Sequence, residues 1–473
     1  MAPSISTGFG GCNPQRVLRT ASPYLIDIQS ASSAKQIDTA CELVFERALC
    51  EYPSVSHPLI STLHDQQLLQ ARLAQLSRRK GLENIFVGLV LKDEQSVAAS
   101  CDTDTDQVAQ HRIPAGCIAK SLTASMLAEA VATRHLGWSD PVCEVLTLSG
   151  SAQRKLRGVT VRHLLDHTHG LDASSIEEVP WGSDGFIDVE RVCNGLDARP
   201  IALPGTLYSY SNAGCWFAGA VLERTYGKSY ATLVLEHYGV PAEAAPGTAL
   251  PDRVCPATGA DLVLTLTQWL SFASRHLDDP TGPSTTLAPL RAMQTPLPGW
   301  HPSEKGICLG LKYYGGGWFG HNSLLSERTA ALRLNPTERI ALFVAVESQG
   351  AAVLALAGLF GRSLPEFADL KPLRPLEAEQ RQGIQYACHV GSYSQARKRL
   401  VVGMTNEATL ELTCIETSAS DRCVPTRIRP TRQGVFIPES THDEEFPFVQ
   451  FIAQQDSGGY EYLWNGRQLW RKE

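Results

Sequence analysis

The chain has 473 residues, 43% of them hydrophobic and 19% charged, which is apolar enough for sizeable cores and too apolar for disorder. A formal net charge of −7 without basic clusters argues against a nucleic-acid partner. No apolar run approaches the roughly 18 residues that span a bilayer, and the opening MAPSISTGFGGCNPQR lacks the basic and apolar regions of a secretory signal. A cytoplasmic protein with no membrane partner is therefore expected. The 13 cysteines are odd in number and show neither CxxC pairs nor zinc-ligand spacing, so they read as reduced thiols, with no metal and no other cofactor.

In chain order, residues 34–49 carry Ile37, Ala40, Leu43, Val44 and Ala48 near helical spacing, and residues 65–79 predict a second amphipathic helix. The run IFVGLVLKDEQSVAAS, from Ile85, reads as two short strands joined by a turn at 92–94. From Cys117 the pattern turns helical, with Leu122, Met126, Leu127, Ala130 and Val131 on one face. Residues 159–165 predict a short helix with Thr160 as N-cap. Pro204 and Gly205 mark a turn, and 212–224 an apolar helix. The runs 330–334 and 340–346, divided at Pro336, predict a hairpin. Composition shifts over 365–382, a candidate linker. Beyond it, short alternating runs at 399–402, 408–412, 434–437, 448–452 and 460–464 suggest a small all-β domain. No internal repeat is present.

The chemistry lies between Pro114 and Glu347. Cys117 and Lys120 are three residues apart, on one face if a helix starts there. In a first helical turn the unpaired N–H groups and the helix dipole favour a thiolate, and Lys120 adds a cation. Both effects push the thiol below its ordinary value of about 8.5, as a nucleophile requires. The tetrapeptide alone is more often a buried cysteine before a helix with a solvated lysine.

Its surroundings narrow the choice. IPAGCIAKSLTASMLAEAV is similar to the nucleophile helix, with its S-x-x-K motif, of the serine β-lactamase-like family of class C β-lactamases, DD-peptidases, esterases and acyltransferases. LGWSDPVCEVL, VTVRHLLDHTHGL, LPGTLYSYSNAGCWFAGAVLERTYGKSY (with the Y-x-N motif) and GGGWFGHNSLLSERTAALRLNPTERIALFVAVE resemble its later blocks in order. The resemblance implies an α+β chain. Its β-lactamase/transpeptidase-like catalytic domain (83–364) would have an antiparallel sheet flanked by helices and a helical subdomain. A mostly helical extension (1–82) would precede it, and a linker (365–382) and a lipocalin-like β domain (383–473) would follow.

By resemblance, Cys117 occupies the place of the family's serine, and Lys120 and Tyr210 handle protons. Asn212 binds substrate or orients Lys120, His321 on the strand lining the cleft is a further catalytic residue, and the N–H groups of Cys117 and Leu324 form the oxyanion hole. Two departures stand out. A sulfur nucleophile would rest as a thiolate–ammonium pair and form a thioester, and Ser323 replaces a glycine where its side chain would crowd the substrate. Tyr313, Tyr314, Trp318 and Phe319 are candidates either for an apolar substrate pocket, with Tyr314 and Trp318 as binding residues, or for core packing. Asn212 equally suits an N-cap, and Tyr210 a packed aromatic. His163, His167 and His169 read as structural, with His169 able to reach the cleft rim.

The expected function is a β-lactamase-like hydrolase or acyltransferase that forms a covalent acyl-enzyme on Cys117. Its partner would be a small-molecule amide, ester or thioester from intracellular specialised metabolism. One alternative is a transacylase or cyclase in which an amine or alcohol resolves the thioester; another is a non-catalytic binding or scaffolding descendant. Oligomeric state is open.

Overall fold

A computed structural model describes residue 60 and most of residues 65–473; the longer interior stretches outside the description are 173–185, 241–256, 417–424 and 440–447. The helix expected over 34–49 lies outside the described residues. Helix α1 (Gln66–Lys80) matches the second expected helix, and β1 (Ile85–Leu91) with β2 (Glu94–Ala99) forms the expected hairpin. Five later strands complete the sheet: β3 (Gly306–Cys308), β4 (Leu311–Gly315), β5 (Trp318–Leu325), β6 (Arg328–Asn335) and β7 (Ile340–Val346). Their order is β2-β1-β7-β6-β5-β4-β3, with every neighbouring pair antiparallel.

Strand alternation sorts the sheet into two faces. Phe86 and Val90 of β1 join one core, while Ile85, Val87 and Leu89 join the other. Helices α2 (Ala119–Ala132), α3 (Ala213–Tyr226) and α4 (Leu266–Ser274) contribute to the first core, and α1 and α5 (Ala352–Phe360) to the second. Trp269 of α4 stacks on Phe343 of β7 with ring centroids 5.0 Å apart, worth roughly 0.5–1.5 kcal/mol beyond the apolar area both rings bury.

Helix α2 differs from its expected single apolar face, because most of its circumference is buried. It can carry hydroxyls there because they bond to its own backbone: Ser121 Oγ donates to Ile118 O at 2.6 Å, and Ser125 Oγ to Ser121 O at 2.8 Å. Between α2 and α3 lie short helices including Val142–Val145, Gly150–Lys155, Val161–Leu165 and Val189–Gly195, the helical subdomain. Thr160 begins the third of these as expected. Its N–H donates to His163 Nδ1 at 3.2 Å, which assigns His163 to capping.

The carboxy-terminal strands are β8 (Gly391–Ser394), β9 (Lys398–Met404), β10 (Leu410–Glu416), β11 (Thr426–Pro430), β12 (Phe436–Pro438), β13 (Gln450–Ala453), β14 (Tyr460–Trp464) and β15 (Leu469–Lys472). They run in the order β12-β11-β10-β9-β8-β15-β14-β13. Paired backbone bonds of 2.8 Å between Phe436 and Val449 join the two ends, closing the sheet into a barrel. The expected linker is not free chain at its start. Pro365–Ala368 is a short helix with Glu366 and Phe367 buried, and Glu366 pairs with Arg333 of β6 beneath the sheet. That pairing satisfies a buried arginine, so the segment is pinned to the seven-stranded sheet.

Candidate active site

Cys117 is half-buried in a 3-10 turn, Gly116–Ile118, that runs directly into α2. The expected first α-helical turn therefore begins at Ala119, and Lys120 rather than Cys117 lies within it. Gly116 makes the turn possible. Its φ is +46°, and a Cβ there would stand 2.0 Å from Ser323 Oγ. The crowding expected from Ser323 is thus taken up by the missing side chain of Gly116, and Ser323 packs on the turn that presents the thiol.

Behind the thiol, Lys120 is 1% exposed and Tyr210 5% exposed. The Lys120 ammonium stands 5.2 Å from the centre of the Tyr210 ring. Each group influences the other's protonation, but neither Nζ nor Oη completes a hydrogen bond of ordinary geometry, and Asn212 Oδ1 is likewise buried without a partner. Buried polar atoms in that condition are costly, and they concentrate where a protein binds or reacts. Burial opposes the Lys120 charge, but the pull of Cys117, then of Tyr210 and Cys215, outweighs it and holds the amine above the ordinary lysine range. Burial, reinforced by Cys117, pushes the Tyr210 phenol up to about 12 against the opposing effect of Lys120 and Arg467. At neutral pH the pair is therefore an ammonium and an intact phenol. Burial also raises Cys215, in the first turn of α3, to about 11, so it stays a thiol.

Asn212 stands at the N-cap position of α3 without a side-chain capping bond, so the capping role proposed for it is not used. His321 lies on β5, 4% exposed, with its ring centroid 6.3 Å from that of Tyr210. Its Nδ1 is 2.7 Å from the Asn322 carbonyl, which only accepts, so Nδ1 carries the proton. Burial first, then the charges of Lys312 and Lys120, keep this imidazole neutral. Beyond Gly320, β5 pairs only with β6, and the Gly116–Ile118 turn lies against the remainder, where Leu324 is half-buried.

Two expected binding residues stand elsewhere. Tyr314 and Trp318 are 1% and 2% exposed within the core on the opposite face of the sheet, and the Arg333 guanidinium lies 3.8 Å from the Tyr314 ring centre. Strand alternation directs them away from the thiol, so they do not line its cleft. Tyr313 and Phe319, paired across β4 and β5 with centroids 5.2 Å apart, belong to the face that holds α2.

Sequence reasoning missed two neighbours of Tyr210. The His167 ring centroid is 4.6 Å from the phenol ring, and its Nδ1 accepts from the Ser211 N–H at 3.3 Å. Arg467, from the turn between β14 and β15, places its guanidinium 4.4 Å from the Tyr210 ring centre. His169 is not at the rim: it is buried, accepts from the Leu171 N–H at 3.0 Å, and sits against Gly214.

Four fully buried histidines have a consequence for stability. Burial lowers His169 and His276 from 6.5 to about 3, and holds His167 and His321 well below 6.5. In the unfolded chain all four bind protons near pH 6.5, so the fold binds fewer protons and loses stability as pH falls from that value toward the folded ones. His237, raised by Glu129, acts in the opposite sense but is only half-buried. The urea midpoint is expected to fall steadily from pH 7.5 to pH 4.5, and a flat profile would contradict these neutral assignments.

A family model described as Beta-lactamase matches residues 69–359, from α1 through the sheet to α5. The chain belongs to the beta-lactamase family. Of its curated relatives, the probable fimbrial assembly protein FimD, serogroup H1, of Dichelobacter nodosus is 24% identical over 135 residues, 26% of this chain and 33% of that protein. The chain thus spans about a third of that relative's length. Among solved structures, SurE with D-Leu superposes with a TM-score of 0.69 at 21% identity, covering 86% of this chain and 99% of that one. The D-amino acid amidase of Ochrobactrum anthropi SV3, complexed with D-phenylalanine, reaches 0.50 at 17% identity over 64% and 99%. These likenesses are of fold. The β-lactamase fold here carries its carboxy-terminal barrel with it, and among the described residues no helix is long and apolar enough to cross a membrane.

Proposed function

We propose that this member of the beta-lactamase family is a covalent acyl-enzyme catalyst in which Cys117 is the nucleophile. The observation that carries the reading is a half-buried thiol in front of a buried, positively charged Lys120 and a buried intact Tyr210, three groups that act on one another's protonation while neither Nζ nor Oη completes a hydrogen bond of ordinary geometry. The Cys117 thiolate, favoured by the Lys120 ammonium, adds to the acyl carbonyl. Collapse of the tetrahedral intermediate breaks the bond to the leaving group, which takes the Tyr210 proton and leaves a thioester. Lys120 stabilises the resulting phenolate. An incoming water, amine or alcohol then returns a proton to Tyr210, adds to the thioester and expels the Cys117 thiolate. Backbone N–H groups of the Cys117 turn and the open stretch of β5 near Leu324 supply the oxyanion contacts.

The substrate is a small amide, ester or thioester. The described cysteines are free thiols, which suits a reducing, intracellular setting. SurE was captured with D-Leu and the amidase with D-phenylalanine, so acyl groups bearing D- and L-amino acids form the first panel. The test is intact-mass analysis after incubation with N-acetyl-D- and L-aminoacyl thioesters, with and without an added amine. An acyl mass mapped to Cys117 is expected. Amide product identifies transfer, and free acid identifies hydrolysis. No adduct with any donor, together with alkylation of Cys117 no faster than a model thiol, supports the non-catalytic alternative.

A further inference from the structure

We infer that Arg467, carried by the carboxy-terminal barrel, is a positioning residue for Tyr210: it holds the phenol in place and stabilises it once its proton has left. The inference rests on the acyl-transfer reading above and assigns the barrel a part in the chemistry. Three contacts join the turn between β14 and β15 to the Y-x-N segment. The Tyr210 N–H donates to the Arg467 carbonyl at 2.9 Å, and the Leu469 N–H donates to Ser209 Oγ at 3.2 Å. The Arg467 guanidinium lies 4.4 Å from the Tyr210 ring centre. Tyr208 and Tyr210 share one apolar cluster with Trp464, Leu469 and Phe448 of the barrel, so the contact is packed rather than a surface touch.

The geometry fits a positioning role. A backbone bond on the residue itself, plus a flat cation against its ring, restrains Tyr210 more tightly than either alone. Around the phenol stand Cys117, Lys120, His167, Tyr208, His321 and Arg467. His167 and His321 are neutral. Lys120 and Arg467 are therefore the cations of this group, 5.2 Å and 4.4 Å from the centre of the Tyr210 ring. Burial raises the Tyr210 phenol, and both cations work against that rise. Without Arg467 the phenol is a weaker acid, and its proton moves less readily to a leaving group.

The test uses the full-length protein and two esters of the acyl group that best labels Cys117, one 4-nitrophenyl and one methyl. A 4-nitrophenolate departs without a proton, whereas a methoxide needs one. For Arg467→Gln, the single-turnover rate of Cys117 acylation by the methyl ester is expected to fall about ten-fold, while that by the 4-nitrophenyl ester changes less than about two-fold and KM holds. Arg467→Lys keeps a cation and should recover most of the loss, which controls for folding. Equal losses on both esters, a change confined to KM, or full activity of Arg467→Gln on both would overturn the inference while leaving Cys117 as nucleophile. A wild-type protein that forms no Cys117 adduct would instead overturn the functional reading, and this inference with it.

Discussion

Cys117→Ala is expected to abolish the acyl adduct and to lower turnover by roughly three orders of magnitude or more. The side chain is small and half-buried, so the alanine variant should fold and melt almost as the wild type does. Cys117→Ser is the more informative variant. An alcohol is too weak an acid to rest ionised beside Lys120, so a base must remove its proton as it attacks. Tyr210 is an intact phenol at neutral pH, and Lys120, although it loses the pull of Cys117 in this variant, still has Tyr210 and Cys215 to favour its charge, so only its neutral fraction can serve as base. A serine remnant should therefore be small, and it should grow with alkaline pH. Single-turnover acylation, followed by mass spectrometry from pH 6 to pH 10, measures both features. An undiminished adduct in Cys117→Ala would remove Cys117 from the mechanism.

The same residues show what could be read in advance and what could not. Local patterns were legible: the β1–β2 hairpin, the β6–β7 hairpin, α3 and the barrel strand Tyr460–Trp464 stand where composition and period placed them. Lys120, Tyr210 and His321 were nameable because each sits in a short block whose order along the chain is itself a signal. Tyr314 and Trp318 were misplaced by a matter of register. In a strand, adjacent residues face opposite ways, and an irregularity between Tyr313 and Gly315 shifts the pairing. Four neighbouring aromatics therefore split between two cores, and nothing local says which pair faces the thiol. Arg467 was invisible for another reason. Its contact with Tyr210 joins residues far apart in the chain and depends on how the barrel docks, and an arginine in an Asn-Gly-Arg turn looks like an ordinary loop residue. Gly116 lay between, because its place before Cys117 was evident while the Ser323 side chain that fills its space was not.

Lys120→Met should be nearly as damaging as loss of the thiol, for a reason that alkylation kinetics can isolate. Methionine replaces the stem with similar volume and leaves no charge in a site that is 1% exposed, so the helix and its packing should survive. The fold loses only the cation. Lys120 keeps its charge across the neutral range because its folded value lies above the ordinary 10.5, and that charge would fade only in strong alkali. In the variant, Cys117 loses the nearest cation behind it. Its alkylation by iodoacetamide at pH 7 should slow by roughly ten-fold and then climb through the region near pH 8.5 where an ordinary thiol ionises. Turnover should fall further, by about a thousand-fold, because the phenolate of Tyr210 also loses its support during leaving-group departure. Equal alkylation rates in the wild type and Lys120→Met would show that the ammonium does not activate the sulfur. The role of Lys120 would then reduce to Tyr210, and the thiolate–ammonium pair on which the sulfur chemistry depends would have to be given up.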